Sequence, residues 1–225
     1  MASLTDLEMA IDRLLSTVGS GHYKLISHKA DKAYEAYIFG LCLKAAKRLG
    51  AKPVLRGITG APVPFTFRGG PGSIHSDRKN YGYATFEFNN HLLEIHVCVE
   101  FTGQSQVVHE IDVCIMRSKE AKKARLEEQD PPARSLVVAL ECKFYDKKLD
   151  KSLGREFVGL MDDMSEKIRF SGLCSNNVSD QLERYFSKKD RPYANFNLSP
   201  LNLDIEKDFV TNLFHALKKL TAGKA

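Results

Sequence analysis

The sequence predicts an α/β domain with a mixed central β-sheet flanked by helices on both faces. Two observations carry this expectation. Apolar residues recur at helical spacing near both ends and after the last long strand, and β-branched or aromatic runs lie between them. The order is helices, three strand segments of which the first is a two-stranded hairpin, helix, strand, helix.

In residues 4–15, Leu4, Leu7, Ile11, Leu14 and Leu15 share a helical face, and Ser3 or Thr5 supplies a cap. A longer helix is expected over 29–49. It stops at Gly50 with Pro53 beyond, and its last turn is basic, as the helix dipole favours. Residues 1–28 then form an N-terminal helical appendage to the single domain 1–225.

Residues 56–82 change character, with eight glycines or prolines between Gly57 and Gly72. They read as a long loop or short irregular hairpin. Strands follow at 84–88, joined through Asn89-Asn90 in a tight turn to 92–101, then at 107–116 and 136–145. Between the last two lies RSKEAKKARLEEQDPPAR, so 117–135 is expected as a charged, solvated helical insertion.

Ser152 opens a helix in which Leu153, Phe157, Leu160, Met161, Met164 and Ile168 form one stripe ending near Ser171-Gly172. A short strand at 173–176, a helix at 179–188, an extended segment at 193–198 and a closing amphipathic helix at 204–220 complete the chain.

A length of 225 residues suits one domain, and 43% hydrophobic with 27% charged residues is the balance of an ordinary globular protein. Collagen, coiled-coil and mucin-like classes are excluded. No apolar run reaches the roughly 18 residues of a membrane span. The start, MASLTDLEMAIDRLL, carries acids where a signal peptide would be basic and then apolar. A cytoplasmic protein without a membrane partner is expected. Cys42, Cys98, Cys114, Cys142 and Cys174 lie far apart with no CxxC pair, and read as reduced, buried small hydrophobes. The net charge of +5 is compatible with a polyanionic partner without requiring one.

The sharpest feature is LVVALECKFY at 136–145, which places Glu141 and Lys143 inside an apolar strand. Alternation puts both on one face and Leu140, Cys142 and Phe144 on the other. Buried ions cost several kcal/mol each unless something compensates them. The preceding strand, VVHEIDVCIM, has the same oddity. Its Glu110, Asp112 and Cys114 are expected on one face, opposite Ile111, Val113 and Ile115. If the strands are neighbours, Asp112 and Glu141 converge on one hard cation, with the Cys142 backbone carbonyl as a further oxygen ligand. Such a set suits Mg²⁺ or Mn²⁺. A phosphodiester bound there would be hydrolysed with metal assistance, Lys143 orienting or deprotonating the water. Glu35, on the second helix, is a further acid within reach of the metal.

Asp112 followed by Glu141-Cys142-Lys143 resembles the PD-(D/E)XK nuclease superfamily, the restriction-endonuclease-like fold. The α-β-β-β-α-β order with a helical Glu upstream is similar too, over residues 29 to 200. The resemblance implies that Asp112 is the motif acid, Glu141 the second acid, Lys143 the catalytic lysine and Glu35 the helical acid of some members. It implies a metal-dependent nuclease that cuts DNA in preference to RNA and serves restriction or phage defence. Ile111 stands where the family name has proline, and the charged insertion lengthens the gap between Asp112 and Glu141.

Lys147, Lys148, Lys151 and Arg155 would rim such a site, and Arg68, Arg78 and Lys79 in the glycine-rich loop would contact a nucleic-acid backbone. The first set also suits ordinary surface, and the glycine-rich loop also suits a loop that merely packs over the sheet edge. Glu110 reads either as the metal acid or a second one, or as a rim residue pairing with a lysine, and His109 as the one histidine close to the acids. Cutting both strands of a duplex takes two active sites, so a homodimer is the expectation from symmetry. A targeting partner is left open. The rival readings are a catalytically silent nuclease-like module that binds nucleic acid or protein, and another metal enzyme using paired carboxylates.

Overall fold

The computed structural model describes residues 2–19, 22–164, 168–188 and 193–220. Along the chain run α1 (Leu4–Ser16), β1 (Tyr23–Leu25), α2 (Ala30–Arg48), β2 (Val54–Gly57), β3 (Phe65–Phe67), β4 (Gly82–Phe88), β5 (His91–Thr102) and β6 (Val108–Arg117). Then come α3 (Ser118–Glu127), β7 (Leu136–Lys143), α4 (Lys151–Asp163), β8 (Phe170–Ser175), α5 (Asp180–Phe186), β9 (Tyr193–Asn195) and α6 (Leu203–Lys218).

Seven strands form one mixed sheet in the order β2-β4-β5-β6-β7-β8-β9. Neighbours from β2 to β7 pair antiparallel, and β7, β8 and β9 pair parallel. The long crossover that a parallel pair needs is supplied between β7 and β8 by α4. The Asn89-Asn90 turn is as expected. Both residues have positive φ, 49° and 62°, which a two-residue hairpin of this hand requires and asparagine tolerates.

One face of the sheet packs against α1, α2 and α6 through Val113, Ile115, Val138, Leu140 and Cys142. The other packs against α3 and α4 through Ile111, Cys114, Met116 and Ala139. Helix α2 is buried on nearly all sides because it runs between the sheet, α1 and α6, and it carries Glu35 into the core. The chain before residue 28 shares this core, since Leu7, Ile11, Leu14 and Leu15 of α1 lie in the same cluster. Ser3 is the cap of α1. Its Oγ accepts the Asp6 N–H at 3.2 Å while Asp6 Oδ2 accepts the Ser3 N–H at 2.7 Å. Gly40 permits the close crossing of α1 on α2, for a Cβ there would stand 2.7 Å from Leu14.

Elsewhere the sequence expectations differ. The 56–82 segment holds β3, which pairs with β1 in a separate two-stranded parallel sheet, and β2 begins before it. Strands of three or four residues are too short to show a period. Helix α4 ends at Asp163, and β8 starts at Phe170, earlier than expected; residues 165–167, which the helical stripe included, lie outside the described residues. Asp150, accepting the Ser152 N–H at 2.6 Å, caps that helix. Among the described residues, no helix is long and apolar enough to cross a membrane.

The charged insertion is helical but fastened. Glu94 of β5, 1% exposed, accepts two hydrogen bonds from the Arg125 guanidinium, both 2.9 Å, one from Ser118 Oγ at 2.6 Å, and pairs with His96 Nε2 at 2.9 Å. Burial would raise its pKa, but His96 and Arg125 outweigh that and hold Glu94 at about 2. Removing one partner of a buried ion pair strands the other. Arg125→Ala is therefore expected to cost about 3 kcal/mol. Lys123→Ala, which loses only the exposed pair with Glu127, should cost under about 0.5 kcal/mol. Urea unfolding of both variants checks this, and equal losses would show that α3 is not anchored through Arg125.

Candidate active site

The ladder between β6 and β7 runs from Met116 to the Val113–Leu140 pair. One residue further, the Asp112 carboxylate takes over the ladder's role: its Oδ2 accepts the Cys142 N–H at 2.7 Å. Strand β7 continues beside β8, with Glu141 opposite Leu173 and Lys143 opposite Ser175. The result is a notch between β6 and β7, and a cavity of about 400 Å³ opens there. Asp31, Lys32, Glu35, Glu110, Asp112, Glu141, Lys143 and Tyr145 are among the residues that line it.

All four residues expected from the sequence thus meet at one cavity, together with Glu110. Asp112 is 7% exposed and Glu35 3%. Lys143 Nζ is hydrogen-bonded to Glu141 Oε1, and Lys32 Nζ to Glu35 Oε1 at 2.7 Å. The other Glu35 oxygen accepts the Cys98 thiol at 2.8 Å. Glu110 Oε1 is buried with no hydrogen-bond partner among the described residues.

Cys98 explains how α2 reaches this notch. Its φ is +52°, a left-handed conformation that breaks the pleat of β5, and no pair forms with Asp112 between the Val97–Val113 and Val99–Ile111 pairs. Alternation shifts phase on β6 at the same point. Val113 and Ile115 pack on the α2 side while Ile111 joins Cys114 and Met116 on the other. The expected common face of Glu110, Asp112 and Cys114 is therefore corrected: Cys114 belongs to the α3 side, and the two acids line the cavity. On β7 the expected alternation holds, with Leu140 and Cys142 on the α2 side and Phe144 packed against them.

Charge in the cavity is out of balance, with five acids against two lysines. Burial, then the neighbouring Asp112 charge, push both Glu35 and Glu141 up to about 7. Burial also raises Asp112 and Glu110. Burial by itself would lower Lys143, but Glu141 and Asp112 outweigh it and hold the ammonium above the usual lysine range. Among the described residues, no three His, Cys, Asp or Glu side chains converge tightly enough to enclose an ion unaided.

Lys147, Lys148, Lys151 and Arg155 are exposed in the loop and first turn after the motif strand. Asn176 and Asn177 clamp that loop by donating to the Tyr145 carbonyl at 3.0 and 2.6 Å. Arg78 and Lys79 are exposed, whereas Arg68 is buried and lines a separate cavity with Arg78. His109 bonds Asp163 at 2.7 Å and does not line the notch. Sequence reading missed Lys32, Cys98 and Tyr145. Lys32 was within reach, since it lies three residues before Glu35 on one helical face. Cys98 was not, because its role depends on a backbone kink.

Comparison with family models, with curated proteins and with solved structures finds no match.

The raised carboxylates set a pH dependence. Each binds its proton more tightly folded than unfolded, so between 4.5, the ordinary glutamate value, and about 7 the folded state holds the extra protons. Stability from these groups is complete at low pH and lost as pH rises through that window. Thermal unfolding of the metal-free protein is expected to show this decline, and Glu141→Gln should flatten it. An unchanged slope in the variant would show that Glu141 titrates normally.

Proposed function

We propose that this chain is a metal-dependent nuclease of the PD-(D/E)XK type, with a restriction-endonuclease-like core, acting on DNA in preference to RNA. The single observation that carries the reading is the meeting of Asp112, Glu141 and Lys143 with the helical Glu35 at one cavity where two paired strands part. Surplus buried acid is costly in the free protein, and a divalent cation is the chemistry that neutralises it. Glu110 Oε1, buried without a hydrogen-bond partner among the described residues, supports the same fit.

Asp112 and Glu141 would hold Mg²⁺ or Mn²⁺. The N–H and C=O of a strand residue face the same edge, so the Cys142 carbonyl points toward Asp112 as well. Two carboxylates and a carbonyl leave positions for water and a substrate phosphate, which is how Mg²⁺ is commonly bound, so a complete protein cage is not required. Glu35, with both oxygens engaged by Lys32 and Cys98, acts beside this set. The cation supplies Lewis-acid polarisation of the phosphodiester.

Lys143 is held charged by Glu141 and Asp112, which favours a role in orienting the attacking water and steadying charge on the phosphoryl oxygens over that of a base. The proton of the water then goes to a carboxylate. Lys147, Lys148, Lys151 and Arg155 would contact flanking phosphates without reading sequence. A homodimer cutting both strands, a targeting partner and a place in restriction or phage defence remain part of this proposal.

The test is cleavage of supercoiled plasmid, linear duplex and single-stranded DNA with Mg²⁺, Mn²⁺ or EDTA. Cutting is expected only with metal, and Asp112→Ala and Lys143→Ala should each lower it about 10²-fold or more. Binding without cutting under every metal condition would replace the nuclease by a silent nucleic-acid-binding module.

A further inference from the structure

The glycine-rich loop after β3 encloses a second cavity, of about 650 Å³, whose lining includes Arg68, Gly70, Gly72, His75 and Arg78. Arg68 is 6% exposed. Its Nη2 donates to the Ser73 carbonyl at 3.1 Å and its guanidinium lies 4.3 Å from the Tyr81 ring centre, but among the described residues no carboxylate comes within 4.0 Å of it. A buried cation with no carboxylate in direct contact is expensive, Glu100 of the same lining acts on it only at longer range, and a guanidinium does not escape the cost by losing its proton. Beside it, His75 Nδ1 is buried with no hydrogen-bond partner among the described residues. Gly72 leaves the guanidinium its place, since a Cβ there would stand 2.9 Å from Arg68 Nη1.

Acids also line the cavity. Glu100 accepts from Ser73 Oγ at 3.4 Å, while Asp77 and Glu128 are exposed, where water and salt screen them as they do not screen Arg68. The cavity adjoins the carboxylate notch. Glu100 pairs across the sheet with Glu110, which lines the notch, and Gly72 bridges Val99 next to the Cys98 kink.

We propose that this cavity seats a phosphate of the nucleic-acid strand bound at the notch, gripped by Arg68 with His75 as a second polar partner; the assignment rests on the nuclease reading for the identity of the strand. A planar guanidinium with open donors matches phosphate oxygens, and the neighbouring glycines let a backbone approach closely. The seat positions the strand one sheet strand away from the cutting residues and reads no base.

Two titrations of the 225-residue chain in excess EDTA test it: inorganic phosphate followed by thermal shift and calorimetry, and a fluorescent single-stranded oligodeoxynucleotide followed by anisotropy. Gly70→Asp places a carboxylate in open space, for nothing lies within 4 Å of a Cβ at Gly70, and His75→Ala removes the orphaned nitrogen. Phosphate is expected to compete with the oligonucleotide, and each variant, melting near wild type, to weaken both ligands about tenfold. Unchanged affinity of Gly70→Asp for both ligands overturns the proposal. Loss of phosphate binding with the oligonucleotide unaffected overturns the strand assignment and makes a free phosphate the ligand. The titrations contain no metal, so absent cleavage counts only against the nuclease reading.

Discussion

The bond from Asp112 to the Cys142 amide governs the rest of this protein. Where the β6–β7 ladder stops, the Cys142 N–H would lose its carbonyl partner inside the protein, and an unpaired buried amide costs about as much as a lost hydrogen bond. Asp112 supplies the missing acceptor at 2.7 Å and is itself held in the notch. Glu141 and Lys143, on either side of Cys142, are thereby brought beside it. On the other side of Asp112, the left-handed Cys98 turns its thiol onto Glu35 and closes the path from the sheet to α2.

Buried charge is handled in two opposite ways. Glu94 has Arg125, His96 and Ser118 around one carboxylate. Glu206 of α6 likewise has Tyr37, Lys44 and Arg13. Both are satisfied and act as fasteners, tying α3 to the sheet and α6 to α1 and α2. The notch and the glycine-loop cavity are mismatched instead, the first with surplus carboxylate, the second with a buried guanidinium that no carboxylate touches among the described residues. Mismatch of this kind is expensive in a free protein, and it concentrates where a ligand completes the balance. The two cavities adjoin across β5 and β6.

Legibility in the sequence followed the range of each interaction. Asn89-Asn90 announced its hairpin because turn geometry is local. Glu141 and Lys143 stood out because charges inside a β-branched run violate the burial pattern around them. Arg125 read as solvated surface, since its helix is mostly exposed and the partner that buries it lies 31 residues away. Arg68 read as a surface contact for the same reason; its burial comes from loop closure over β5, which no short window of sequence displays.

The sequence by itself determined the α/β class, the long helices and strands, the hairpin, and which acids and lysine were out of place, because periodicity, turn chemistry and hydrophobic pattern act over a few residues. Tertiary structure alone decided that the acids share a cavity. It also decided that β1 and β3 form their own sheet, that Cys98 kinks, and that Glu110 turns inward while Cys114 turns away. Each of these rests on contacts between segments far apart in the chain, whose energies are settled only when the sheet closes and its pleat breaks at one place.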